Sequence, residues 1–394
     1  MKQKKTVRDV DVHGKRVLVR VDFNVPLEGG EVKDDTRLQA ALPTIRYLVE
    51  QGARVILVSH LGRPKGQVVD KLRMDPVARR LEALLGRRVA KADACIGDGV
   101  GDAVARLGPG DVLLLENVRF YPEEEKNDPA FARNLASLAD VYVNDAFGTA
   151  HRAHASTAGV AAHIPAVAGF LLAREIEVLG KLLQTPVRPL VVVVGGAKIA
   201  DKIGVLENLL GRADRLIIGG GMANTFLAAQ GYDMQASLVE RNALHVATRF
   251  LEQARQRAVP VYLPVDLVVA PGPDAPGERL TVAVDQIPEG WMALDIGRDT
   301  LHLFQEKLKG AGMIFWNGPM GLFENPAFET GTLGIAEAVA NSGAISIVGG
   351  GDTVAAVRRL GLADRITHIS TGGGAALKFL EGKELPGIAV LQDA

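Results

Sequence analysis

Four arginines and a histidine stand near the ends of short apolar runs in the first half of the chain. His60, Leu61, Gly62 and Arg63 follow the run Val55–Ser59, Arg119 follows Val112–Leu115, and Arg152 follows Val141–Val143. Asp22, Phe23 and Asn24 follow the first run, Val17–Val21, and Arg37 opens the next helical segment. Guanidinium groups grip carboxylate and phosphate oxygens bidentately, so arginines gathered on one rim suit a small phosphorylated or carboxylated acid. A lone arginine is as readily half of a surface ion pair. Repetition at successive strand ends is what points to a site.

The second half carries a different chemistry. Val194 leads into Gly195-Gly196-Ala197-Lys198 and on to Lys202, and Ile218 leads into Gly219-Gly220-Gly221. Trp316 leads into Asn317-Gly318-Pro319, Val348 into Gly349-Gly350-Gly351-Asp352-Thr353, and a last cluster is Ser370-Thr371-Gly372-Gly373-Gly374. Glycine lets backbone amides approach a ligand closely, and amides at helix starts bind phosphate. These turns read as a nucleotide pocket, with Asp352 placed to hold Mg²⁺ on the phosphates. Neither a G-x-x-x-x-G-K-[ST] loop nor an intact G-x-G-x-x-G occurs; Val104 takes the third glycine's place after Gly99-Val100-Gly101. That weakens a P-loop NTPase and a dinucleotide dehydrogenase alike. His151 and His154 lack an evident third zinc ligand, and Glu123-Glu124-Glu125-Lys126 reads as a solvated face.

The elements that must position these residues follow from the same rows. Val- and Ile-rich runs recur without polar alternation, the later ones being Leu190–Val194, Leu216–Ile218, Val261–Leu263, Met313–Trp316 and Ile345–Val348. Such runs fit strands buried on both faces of a parallel sheet. Helical stripes alternate with them: Leu38, Leu42, Ile45 and Val49, for example, with Pro43 expected to bend or restart the helix. The pattern predicts an α/β protein of two doubly wound, Rossmann-like lobes. A helical hinge falls within Ile164–Pro189, where Leu172, Ile176, Leu179 and Leu183 form one stripe before Pro186 and Pro189.

Composition bounds the rest. The 394 residues favour two domains or three, and 47% hydrophobic with 23% charged residues excludes a disordered chain. Lys plus Arg total 45 against 46 Asp plus Glu, so nucleic-acid binding through overall basicity is not expected. The lone Cys95 excludes an intrachain disulfide. No apolar stretch approaches the ~18 residues of a membrane helix, so a soluble, cytoplasmic protein is expected. Two rival readings fit part of the pattern: a dinucleotide-dependent oxidoreductase, and a non-catalytic module closing on phosphorylated metabolites.

Nine segments, in order, resemble the phosphoglycerate kinase family: RVDFNVPL (Arg20–Leu27), DDTRL (Asp34–Leu38), SHLGRP (Ser59–Pro64), LLENVRFYPEEEKND (Leu114–Asp128), YVNDAFGTAHRAHAST (Tyr142–Thr157), GGAKIADKI (Gly195–Ile203), FWNGPMGLFE (Phe315–Glu324), GGGDT (Gly349–Thr353) and STGGGA (Ser370–Ala375). The resemblance implies a carboxyl-group phosphotransferase of glycolysis and gluconeogenesis: a monomer using ATP/ADP and Mg²⁺ with 3-phosphoglycerate and 1,3-bisphosphoglycerate, its cleft closed by hinge bending. It implies a glycerate-binding lobe over residues 1–170 and a helical linker over 171–188. A nucleotide lobe over 189–379 and a tail, 380–394, packing back on the first lobe complete the layout. On the glycerate side it implies Asp22, Phe23, Asn24, Arg37, His60, Leu61, Gly62, Arg63, Arg119 and Arg152. On the nucleotide side it implies Gly195, Gly196, Lys198, Lys202, Gly219, Gly220, Asn317, Pro319, Glu324, Gly349, Gly350, Gly351, Asp352 and Thr353. Asp352 would serve the metal, and Arg37, Lys198, Gly351 and Gly374 the transferred group.

Overall fold

Uninterrupted Val, Ile and Leu runs flanked by helices can bury both faces only inside a sheet covered on two sides. The computed structural model, which describes residues 2–394, contains two such sheets of six parallel strands each, with helices around them. The chain divides into two units. One holds the described residues up to Val178 together with Glu384–Ala394, and the other is Leu179–Lys383. The division falls inside the helix Phe170–Gln184.

In the first unit the sheet order is Val89–Lys91, Val112–Leu114, Arg54–Val58, Arg16–Arg20, Val141–Asn144, Ala166–Ala168. Arg16–Arg20 is the first of these in the chain and lies centrally, with Arg20 level with Val58 on one side and Asn144 on the other. Strand order reverses beside it, and open α/β sheets bind ligands at such a point beyond the carboxyl ends. The segments after Arg20, Val58, Leu114 and Asn144 therefore leave from one edge. The returning C-terminal segment packs on this unit: Gln392 N donates to Ala166 O at 3.0 Å, and Gly387 N to Ala150 O at 2.8 Å.

The helix Thr36–Glu50 runs through Pro43 without restarting. Proline removes one backbone donor, whereas the helix buries Leu38, Ala41, Leu42, Ile45 and Leu48 in the core. Burying several large apolar side chains, at about 1.5–3 kcal/mol each, outweighs the lost bond. Leu48 rather than Val49 completes the buried stripe.

The second unit repeats the design. Its order is Val261–Tyr262, Arg215–Ile218, Leu190–Val194, Met313–Asn317, Ile345–Gly349, His368–Ile369. The order reverses between Leu190–Val194 and Met313–Asn317, whose last residues, Val194 and Asn317, are level. A feature not expected from the sequence is a three-stranded antiparallel sheet of Leu280–Ala283, Asp266–Ala270 and Met292–Ile296.

Candidate active site

The strand-end loops of the first unit are tied to one another by side chains. Phe23 N donates to Ser59 Oγ at 2.9 Å, and Gly62 N donates to Asn24 Oδ1 at 2.8 Å. Arg37 Nη1 donates to Asp22 Oδ1 at 3.1 Å and to Asn24 O at 3.0 Å. Asp22, Asn24, Arg37 and Gly62 thus share one rim. Gly62 has φ +64°, and a Cβ there would lie 2.8 Å from Leu72, so no other residue fits comfortably. Arg63 and Arg152 are exposed, whereas His60 and Arg119 are buried.

Phe23 and Leu61 bring no polar side chain to this rim. Their side chains belong to the apolar core. Both backbone groups of Leu61 are engaged by Asn117. Asn117, overlooked in the sequence, is fully buried and also accepts from Arg119 N at 3.1 Å. Only its place after an apolar run could have signalled it.

Positive charge is crowded here. Burial, then the neighbouring Arg20, holds the Arg119 guanidinium down at about 10, against the opposing pull of Glu125. Arg119 Nε is buried with no hydrogen bond, its nearest carboxylate being Glu125 Oε1 at 3.8 Å. Burial pushes His60 well below the usual histidine range, and Arg20, Arg119, Arg37 and Arg152 add to it. Cations gathered this closely suit an anionic ligand.

The acidic run is solvated at Glu125 and Lys126 but not at Glu124. Glu124 is fully buried, accepting from Ser156 Oγ at 2.7 Å and from Ser156 N at 3.0 Å. Burial raises its carboxyl despite the pull of Arg20 and Ser156. Its partner lies 32 residues away, which local patterning does not reveal. No group of three or more His, Cys, Asp or Glu suited to a metal gathers around His151 and His154, or elsewhere among the described residues.

The glycine turns of the second unit surround a cavity of about 240 Å³. Gly196, Gly220, Pro319, Glu324 and Asp352 line it, as does buried Asn224. The antiparallel sheet adds an apolar wall that includes Leu267, Ala293 and Ile296. Gly196 N donates to Pro319 O at 2.9 Å, locking the two strand ends at the switch point together. Gly195, Gly219 and Gly349 are buried. A Cβ on Gly195 would stand 2.2 Å from Pro319 O, and one on Gly219 2.3 Å from Met320 Sδ, so these two serve close packing of the loops.

Lys202 donates to Asn317 Oδ1. Burial holds its ammonium down at about 8, against Asp201 and Asp352. Asn317 Nδ2 is buried and unpartnered. Thr353 is fully buried and its hydroxyl accepts from Gly318 N at 2.7 Å, so it braces the turn instead of presenting that hydroxyl outward. Gly351, Asp352 and Thr353 open the helix Gly351–Arg359, whose first amides lack intrahelical partners. Gly350 immediately precedes it as the N-cap, at φ 90°. Gly374 lies in the first turn of Gly373–Leu380. Lys198 is exposed on the loop after Leu190–Val194.

This arrangement offers a cationic rim in one unit and an amide-lined cavity with an apolar wall in the other. The family described as phosphoglycerate kinase matches residues 7–383. The chain is 61% identical over 391 residues to the phosphoglycerate kinase of Pelotomaculum thermopropionicum, covering 99% of each. It is 61% identical over 390 residues to that of Moorella thermoacetica, again with 99% coverage of each. Among solved structures, the phosphoglycerate kinase from Coxiella burnetii superposes with a TM-score of 0.89 at 44% identity, and that from Pyrococcus horikoshii with 0.86 at 36%; each pairing covers 98% of both chains.

Proposed function

The chain belongs to the phosphoglycerate kinase family, and from that premise we propose that the two strand-end clusters are the two substrate sites of its reaction. That reaction is reversible phosphoryl transfer between ATP and 3-phosphoglycerate, giving ADP and 1,3-bisphosphoglycerate, a step of glycolysis. Arg63, Arg119, Arg152 and His60 take the non-transferred phosphate. Asp22 and Asn24 orient the hydroxyl and carboxylate, and Arg37 serves the carboxyl group that attacks or leaves. The observation that carries this assignment is Arg119, buried beside Arg20 and Arg152 with one long ion pair, Nε to Glu125 Oε1 at 3.8 Å.

In the second unit the cavity takes the nucleoside, with Glu324 at the ribose and Asn317 and Pro319 shaping the pocket. Lys202 and the amides opening Gly351–Arg359 hold the phosphates. Mg²⁺ bound with the nucleotide would supply charge neutralisation at its phosphates. Asp352, exposed at the start of that helix, supplies the single carboxylate that suits a cation held mainly by phosphate oxygens.

The attacking carboxylate is ionised at neutral pH and needs no strong base. Catalysis then rests on in-line positioning and on donors facing the charged equatorial oxygens. Arg37, Lys198 and the amides near Gly351 and Gly374 are those donors, and transfer is direct, without a phosphoenzyme. Ligands held by separate units react only when brought end to end, so closure about Phe170–Gln184 belongs to this reading. No helix among the described residues is long and apolar enough to cross a membrane; a cytoplasmic monomer completes the proposal.

Formation of ATP from ADP and 1,3-bisphosphoglycerate, measured with and without Mg²⁺, tests the activity. Arg63→Ala is expected to raise KM for 3-phosphoglycerate and leave ATP binding intact. Equal weakening of both ligands contradicts the division of labour. X-ray scattering is expected to give a smaller radius with both ligands than with either alone.

A further inference from the structure

Arg20 is the last residue of the central strand of the first unit and is fully buried. Its fork is used on three sides. Nε donates to Ser156 Oγ at 2.8 Å, Nη1 donates to Val21 O, and Nη2 lies 3.1 Å from His60 Nδ1. Ser156 Oγ in turn donates to Glu124 Oε1 at 2.7 Å. A buried carboxylate therefore balances the buried guanidinium through one hydroxyl, and the far end of the chain meets the imidazole of the rim.

A guanidinium has no acceptor atom, so the contact at Nδ1 forms only if that nitrogen carries no proton. The remaining proton of a neutral ring is then on Nε2, which becomes its only donor. The charged groups facing His60 are Arg20 from the central strand, Arg37 from the helix Thr36–Glu50, and Arg119 and Arg152 from later strand-end loops. All are cations and all oppose an imidazolium. We propose that Arg20 is the positioning residue that fixes His60 as the neutral Nε2–H tautomer, so that the rim meets its phosphorylated acid with a directed N–H donor and not with a further positive charge. The Glu124–Ser156 pair holds Arg20 in that pose. This rests on reading the rim as the 3-phosphoglycerate site.

The test uses the full chain labelled with ¹⁵N-histidine, with His60 assigned through His60→Gln. Long-range ¹H–¹⁵N correlation is expected to give the Nε2–H pattern in the free protein, and titration with 3-phosphoglycerate is expected to shift it. An Nδ1–H ring or an imidazolium overturns the proposal while leaving the site reading intact. Signals that ignore 3-phosphoglycerate overturn the site reading beneath it. A kinetic cycle separates positioning from general structural support. Arg20→Met is made together with Glu124→Gln, so that no buried carboxylate is stranded. The pair is expected to raise KM for 3-phosphoglycerate about tenfold with His60 present and less than about twofold in the His60→Gln background, because coupled residues are not additive. KM for ATP is expected to hold in both. Equal effects in the two backgrounds overturn the positioning role. If the pair does not fold, the tautomer measurement on the unaltered chain still decides.

Discussion

The carboxamide of Asn117 grips the backbone of Leu61 at both of its polar groups: Nδ2 donates to Leu61 O at 2.7 Å, and Leu61 N donates to Oδ1 at 3.2 Å. The same carboxamide reaches Leu72 O at 3.1 Å and accepts from Arg119 N at 3.1 Å. It thereby fastens the loop of His60 and Arg63 to the loop of Arg119. Asn117→Ala strands buried backbone groups, which costs about 1–3 kcal/mol. Urea unfolding is expected to register that loss. Steady-state kinetics are expected to give a KM for 3-phosphoglycerate raised by about tenfold or more, since about 1.4 kcal/mol is tenfold. KM for ATP is expected to be unchanged, and a parallel rise in both counts against the local role.

Lys198 stands exposed on the loop leaving the switch-point strand. Loss of one preorganised donor to the transition state lowers kcat by roughly 10²–10³. Lys198→Ala is expected to fall in that range, with the KM values little altered. A kcat within a few fold of the parent removes Lys198 from the mechanism.

Arg37 spends Nη1 on Asp22 and on the carbonyl of Asn24. The rest of the planar fork is what the substrate carboxyl group would meet. Lysine keeps the charge and loses the fork, so Arg37→Lys is expected to reduce kcat/KM for 3-phosphoglycerate by about tenfold or more, an effect of charge-assisted bidentate bonding. Parent-like turnover argues against the role.

Lys202 carries an ammonium that burial holds down at about 8. An anionic polyphosphate favours the protonated form, so nucleotide binding takes up a proton above that pH. ADP affinity is expected to fall as pH rises from 8 toward 9.5, approaching tenfold per unit for one linked proton. Titration calorimetry in buffers of different ionisation enthalpy reads the uptake directly. The free protein behaves oppositely: the depressed value costs stability below 8, and that cost is relieved as pH climbs toward the ordinary lysine range. Lys202→Arg is expected to flatten the affinity profile.

Asp145 is fully buried with Oδ1 accepting from Leu171 N at 2.9 Å, at the start of the helix that spans the division between units. Oδ2 has no partner. Burial pushes its carboxyl up to about 7, more than its hydrogen bonds pull it down. The unfolded chain ionises this group near 4, so stability drains as pH rises from 4 through 7 and the cost is complete above 7. Asp145→Asn keeps the acceptor oxygen and removes the charge. Thermal unfolding from pH 4.5 to 8 is expected to lose this downward slope, with Tm at pH 8 no lower than the parent's. An unchanged slope assigns the pH dependence elsewhere.

Much of the frame was legible from local pattern alone. Leu190–Val194 and Ile345–Gly349 are nearly continuous apolar runs, and such runs end where glycine or charge begins, whatever lies beyond. The antiparallel sheet escaped notice for the same reason. Leu280–Ala283 is largely exposed and Met292–Ile296 is half-buried, so neither presents an unbroken buried run. The apolar wall of the nucleotide cavity came with that sheet and escaped too.

From the residues themselves came the parallel α/β architecture, the cationic strand ends and the glycine turns, because periodicity and turn chemistry act over a few residues. Only the folded chain decided which way each side chain faces and what pairs with it. Phe23 turns into the core between the part-buried Asp22 and Asn24, Glu124 is drawn inside, and Arg20 finds Ser156 136 residues further along. Burial of a charge depends on a partner brought near by sheet order, and sheet order is a long-range property that no window of sequence contains.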